Sequence, residues 1–118
     1  MKHFDFYEFD SPDVQGSGQL MDKDFLDLLD EARAIADIPF TINSGYRTEL
    51  HNEKVGGKPD SSHLKGLAAD ISCNDSRSRF IIIDALLEVG FTRIGIAATF
   101  IHVDLDDEKD RNVLWTYK

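Results

Sequence analysis

The chain has 118 residues, 42% of them hydrophobic and 30% charged, which fits one globular domain and excludes a disordered polymer or a collagen-like repeat. Lys and Arg total 13 against 22 Asp and Glu, a formal charge of -9, which speaks against nucleic acid or an anionic membrane as the main partner, because both need a basic face. No stretch approaches the roughly 18 consecutive apolar residues of a spanning helix, and Cys73 is the only cysteine, which excludes an intrachain disulfide and a cysteine-only zinc cluster.

Residues 1–21 read as an extended arm and loop. Phe4, Phe6 and Phe9 fall at irregular spacing, and Ser11-Pro12-Asp13 and Gly16-Ser17-Gly18 carry turn chemistry. Residues 22–118 read as the core. Phe25, Leu28, Leu29, Ala32, Ile35 and Ala36 recur at three and four residues, which predicts a helix capped by Asp22 or Asp24 and finished before Pro39. Phe40 to Ser44 reads as a short strand with Gly45 as its turn. Thr48 to Val55 has helical character, Gly56-Gly57 stops it, and Lys58-Pro59-Asp60 is loop. Ala68 to Ser72 reads as a short buried strand. Between Ser76, a good N-cap, and Gly90, a good helix stop, the run Phe80 to Ile83 favours strand locally, but the length between the two stops favours helix. Arg93 to Ala97 and Phe100 to Leu105 read as strands joined through Ala98-Thr99, and Val113 to Tyr117 as an edge strand. The whole, residues 1–118, is expected to be a single α+β domain, a mainly antiparallel sheet flanked by helices, acting as a monomer.

Two groupings could do chemistry. In Ser61-Ser62-His63-Leu64-Lys65-Gly66-Leu67-Ala68-Ala69-Asp70, small residues let the backbone bend closely between His63 and Asp70. Asp70 falls inside an apolar strand, where a carboxylate needs a strong partner; a cap or salt bridge would satisfy it as well as a metal. In Phe100-Ile101-His102-Val103-Asp104-Leu105 the strand period of two puts His102 and Asp104 on one face and the apolar residues on the other. A carboxylate beside an imidazole on one face is a common way to orient a metal-binding histidine, although a lone strand histidine is more often structural. Two His and one carboxylate with an open position suit catalytic zinc; the facial iron triad conflicts with the order of residues along the chain. Arg47, just past a strand end, offers a planar cation for a carboxylate or oxyanion, with a surface ion pair as the alternative.

Taken together, Ser44-Gly45-Tyr46-Arg47, His51-Asn52 followed by Val55-Gly56-Gly57, the element Ser61-x-His63-x-x-Gly66-x-Ala68-x-Asp70 and the closing His102-x-Asp104 resemble the zinc D-alanyl-D-alanine carboxypeptidase family. That family also includes phage L-alanyl-D-glutamate endopeptidases and vancomycin-resistance D,D-dipeptidases, and the chain resembles its compact, phage- or prophage-type branch. The resemblance spans roughly residues 40 to 105. It implies Zn2+ held by His63, Asp70 and His102 in a cleft on the sheet, Arg47 on the substrate or the tetrahedral intermediate, and peptidoglycan stem peptides as substrate. Several relatives place an acidic general base three residues before the last zinc histidine; here Thr99 stands there, and Phe100 replaces a second His found in another branch. Asp104 is therefore assigned the base or orienting role. The rival expectation is a zinc-containing module that binds cell-wall peptides without cleaving them.

Ser61 and His51 are expected to line the groove as substrate-binding residues. Trp115 and Tyr117 could cover the core edge or form a groove wall, Cys73 reads as a small core residue, and Asp106-Asp107-Glu108 as a solvated turn. The start, MKHFDFYEFD, lacks the basic and apolar regions of a secretory leader. The expectation is synthesis in the cytoplasm and action at the cell wall or periplasm after release.

Overall fold

The computed structural model describes residues 1–117. Helix α1 spans Lys23–Ala36; the Asp22 carboxylate accepts the Phe25 N–H at 2.9 Å, and Asp37, in the left-handed region, ends it. Its buried stripe is Phe25, Leu26, Leu29 and Ala32. Helix α2, Glu49–Lys54, starts on the Thr48 hydroxyl, which accepts the His51 N–H at 3.1 Å. Helix α3 spans Ser76–Val89, and its cap is Asp75 rather than Ser76: the Asp75 carboxylate takes the Ser78 N–H at 2.8 Å. The isoleucine run is helical because that spacing places Ile82, Ala85 and Leu86 on one buried face.

Five strands, β1 (Ile42–Ser44), β2 (Ala68–Ser72), β3 (Arg93–Ile96), β4 (Phe100–Asp104) and β5 (Val113–Thr116), form one sheet in the order β1-β2-β4-β3-β5. All pairs are antiparallel except β3 with β5. This is the expected α+β fold with a mostly antiparallel sheet. Ala69, Ile71, Ile94, Ile101 and Val103 turn to one face and join the α1 and α3 side chains in a single core that also takes in Cys73. The alternate residues, Asp70, His102 and Asp104 among them, face the other way, so one periodicity builds both the core and the site.

The first 21 residues are not an extended arm. Phe6–Phe9 and Ser17–Leu20 are 3-10 turns, and Phe4 and Phe9 enter the core, their rings 5.3 Å apart edge to face. The Phe9 carbonyl accepts the Tyr46 N–H at 2.9 Å, and the backbone N–H groups of Lys2 and His3 donate to the Asp30 carboxylate. The physical reason is hydrophobic: burying a phenylalanine is worth about 1.5–3 kcal/mol, which offsets the ordering entropy of the residues that carry the rings. Asp106 is likewise no solvated-turn residue, being 1% exposed.

Candidate metal centre

His63 rides on a 3-10 turn, Ser62–Lys65, that is held at both ends. The Ser61 hydroxyl accepts the His63 N–H at 3.3 Å, and Gly66, at φ 71°, closes the turn. A side chain at Gly66 would also collide with the chain before α1, since its Cβ would lie 2.6 Å from the Leu20 carbonyl oxygen. The motif glycine is thus required twice, for its left-handed backbone and for the close approach. The Ser44-to-Arg47 segment grips the same turn: the Arg47 N–H donates to the His63 carbonyl at 3.1 Å, and the His63 ring Nδ1–H donates to the Gly45 carbonyl at 2.8 Å.

Asp70 and His102 are direct cross-strand partners on β2 and β4. Asp70 Oδ1 lies 3.0 Å from His102 Nδ1 and 3.4 Å from His63 Nε2. The far nitrogen of His102, Nε2, lies 2.7 Å from Asp104 Oδ2. Each imidazole therefore gives one N–H outward, to Gly45 or to Asp104, and turns its other nitrogen toward the same carboxylate oxygen. Two lone pairs facing one another need a proton or a cation between them. Outer acceptors that fix the tautomer are the usual support of metal-binding histidines. The three donor atoms lie within 4.8 Å of one another. Zn–N and Zn–O bonds of about 2.0–2.1 Å at the tetrahedral angle place donors about 3.3 Å apart, so separations of 3.0 and 3.4 Å suit that ion. His63, Asp70 and His102 are close enough to bind a metal, and their chemistry fits zinc.

The charges agree with the geometry. Burial alone would raise the Asp70 pKa, but the His102 and His63 rings set against it outweigh this and hold the carboxyl well below its usual range. Burial would lower the His102 pKa; Asp104 and Asp70 reverse this and raise it. Arg47 lies against the remaining Asp70 oxygen at 3.5 Å, with its Nε donating to the Ser44 hydroxyl at 3.0 Å and its NH1 to Asn52 Oδ1 at 3.2 Å.

These groups open on a cleft of about 570 Å3. Arg47, Ser61, His63, Asp70, His102 and Asp104 line it; His51 does not. Its α2 neighbour Asn52 is outside the lining too, but it is buried and braces Arg47, fixed in place by donating to the Lys58 carbonyl at 2.9 Å. Asp104 is 1% exposed, and both its oxygens are engaged, Oδ2 by His102 and Oδ1 by Arg93 Nε at 2.7 Å and the Asp106 N–H at 3.1 Å. Arg93 escaped the sequence reading, although its alternation with Ile94 already aimed it at the site face. Asp106 escaped as well: it accepts from the Ser62 hydroxyl at 2.7 Å and from Lys65 Nζ at 3.0 Å, tying the His63 turn to the end of β4. Thr99 is exposed and lies outside the cleft lining.

Sequence comparison is consistent with this geometry. Over 61 residues, 52% of this chain, the sequence is 38% identical to the zinc D-Ala-D-Ala carboxypeptidase of Streptomyces albus G; the match spans 24% of that protein's length. A sequence model of the family described as Peptidase M15 matches residues 7–104, taking in the three donors, Arg47 and Asp104. The chain belongs to the Peptidase M15 family.

Proposed function

We propose that this chain is a zinc-dependent peptidase that hydrolyses amide bonds in the stem peptides of bacterial peptidoglycan. The observation that carries the proposal is the convergence of His63 Nε2, Asp70 Oδ1 and His102 Nδ1, each imidazole with its other nitrogen committed outward. The family and the zinc carboxypeptidase relative support the activity and the substrate class. His63, Asp70 and His102 would hold the ion. When bound, zinc supplies Lewis acidity, polarising an amide carbonyl and making water acidic enough to attack near neutral pH.

The chain's own residues supply orientation and charge. Arg47, braced by Ser44 and Asn52, is set to receive a substrate carboxylate or the charge developing on the carbonyl oxygen. Asp104 holds the His102 ring in one tautomer and is itself held by Arg93, which suits an orienting role better than that of a free proton acceptor. Ser61 shapes the turn that presents His63. With such a substrate, the chain acts at the cell wall or periplasm.

A second reading is favoured by one observation: Thr99 stands where several relatives carry an acidic base, and both Asp104 oxygens are occupied. On that reading the cleft binds stem peptides without turning them over. Metal content measured together with mass spectrometry of muropeptide digests separates the two. Stoichiometric zinc with new amine termini supports the peptidase; zinc with binding but no cleavage of any stem bond supports the module. The position of the new termini distinguishes carboxypeptidase from endopeptidase action.

A further inference from the structure

The cross-strand row that carries the metal donors continues past them. Ser44 pairs with Asp70, Asp70 with His102, His102 with Gly95, and Gly95 with Trp115. Trp115 therefore begins two strands away from His102, roughly 9–10 Å at ordinary strand spacing. The two rings nevertheless lie 5.6 Å apart. Gly95 makes this possible: a Cβ there would sit 2.6 Å from Trp115 Nε1 and 2.8 Å from the Tyr117 ring. Trp115 and Tyr117, two residues apart and on one face, fold across bare backbone on β3. Tyr117 reaches Phe100 at 5.4 Å and Trp115 at 6.4 Å. Phe100, Trp115 and Tyr117 all line the cleft, and Tyr117 remains 45% exposed. The two β5-end aromatics lie beyond residues 7–104, the part matched to the family.

The cleft has Arg47 on the β1 side of the donors and an aromatic shelf on the β5 side, and Lys58, Arg93 and Lys109 also line it. We propose that Phe100, Trp115 and Tyr117 form a subsite for a pyranose ring of the glycan to which the stem peptide is attached; this rests on the peptidase reading and narrows its substrate to sugar-bearing stems. The stem offers methyl groups, carboxylates and an aminoalkyl chain, none with a broad apolar face. The carboxylates suit the cationic end. The flat, C–H-rich face of a pyranose is the part of that polymer that matches a large, partly exposed aromatic surface. An ammonium is the weaker candidate, since Arg93 already lies over the Trp115 ring at 5.1 Å. Reach agrees, because Trp115 lies within about 10 Å of the donors, some three extended residues, so an amide near the sugar end of the stem falls at the metal.

Trp115 is the chain's one tryptophan and reports directly on the shelf. Titrating the zinc-loaded protein with the N-acetylglucosamine–N-acetylmuramic acid disaccharide should change its fluorescence saturably. Tyr117→Ala should weaken that binding about tenfold, and Tyr117→Phe, which keeps the ring, should restore it. On paired substrates, the disaccharide-bearing stem should show a kcat/KM about tenfold above that of the same peptide without sugar, and Tyr117→Ala should collapse the ratio toward one. Cleavage of both substrates at equal kcat/KM, with no fluorescence response, overturns the subsite and leaves the peptidase intact. A saturable response without cleavage of either substrate keeps the subsite and overturns the peptidase.

Discussion

Asp104 shows how one residue's partners decide its role. Two residues along β4 from His102, it shares the ligand's face, but its oxygens are spent on His102, Arg93 and the Asp106 N–H. Asp104→Asn should therefore lower zinc affinity about 10–100-fold, read by competition against a chelator, because the amide cannot fix the imidazole tautomer as a carboxylate does. Full zinc affinity in that variant would remove the orienting role. Arg47→Ala should lower kcat/KM on stem peptides about 10²–10³-fold, the usual loss when a donor to a developing oxyanion is removed, with the fold unchanged by circular dichroism. Asp106 shares the acid dependence of stability with the other depressed carboxyls, Asp70 and Asp104 among them. Burial would raise its pKa, yet the Ser62 hydroxyl and Lys65 ammonium bring it down to about 2 from 3.8. A carboxyl with a depressed folded pKa stabilises fully above its unfolded value and loses that contribution as pH falls through the folded one. Urea unfolding should accordingly show stability falling between about pH 4 and pH 2, and Asp106→Asn should reduce the slope across that window by its own share.

At the scale of elements, the helices and strands were largely legible, because each carries a period and a stop. Asp22 and Pro39 bracket α1, Thr48 and Gly56 bracket α2, and the gap between Ser76 and Gly90 is long enough to override the strand preference of Phe80 to Ile83, although the cap itself proved to be Asp75. The 3-10 turn bearing His63 was not legible, since four residues are too few for a period. What marked it was chemistry, a Ser before the histidine and a Gly three residues after it. Gly66→Ala puts a Cβ in the left-handed region and against Leu20, so the variant should lose about 1–3 kcal/mol in urea denaturation, and its zinc affinity should fall with the displaced His63. Loss of neither would mean that the turn does not position the ligand.

For the molecule as a whole, the first 21 residues are structural. Phe9 is fully buried, and its carbonyl backs the Tyr46 amide beside the Gly45 carbonyl that orients His63. Phe9→Ala should cost about 3–5 kcal/mol of unfolding free energy, far above the near-zero effect expected of an arm in solvent. Zinc should link folding to the site: at 100 times its Kd it adds about 2.7 kcal/mol, seen as a rise in Tm that chelation reverses. His63→Ala should abolish that rise.

Alternation along β4, the small-residue run before Asp70 and the spacing of apolar residues in α1 and α3 are local patterns, so the sequence by itself determined the α+β class and the core face, while the zinc-holding set His63, Asp70 and His102 came from the resemblance of its motifs to a known family. Only the tertiary structure decided which atoms of those side chains meet, that Asp104 is already claimed by Arg93, that Asn52 braces Arg47 while His51 lies outside the cleft lining, and that Gly95 lets β5 lay its aromatic rings beside His102. Each of these depends on strand order and cross-strand register, which join residues far apart in the chain and leave no period for a single sequence to display.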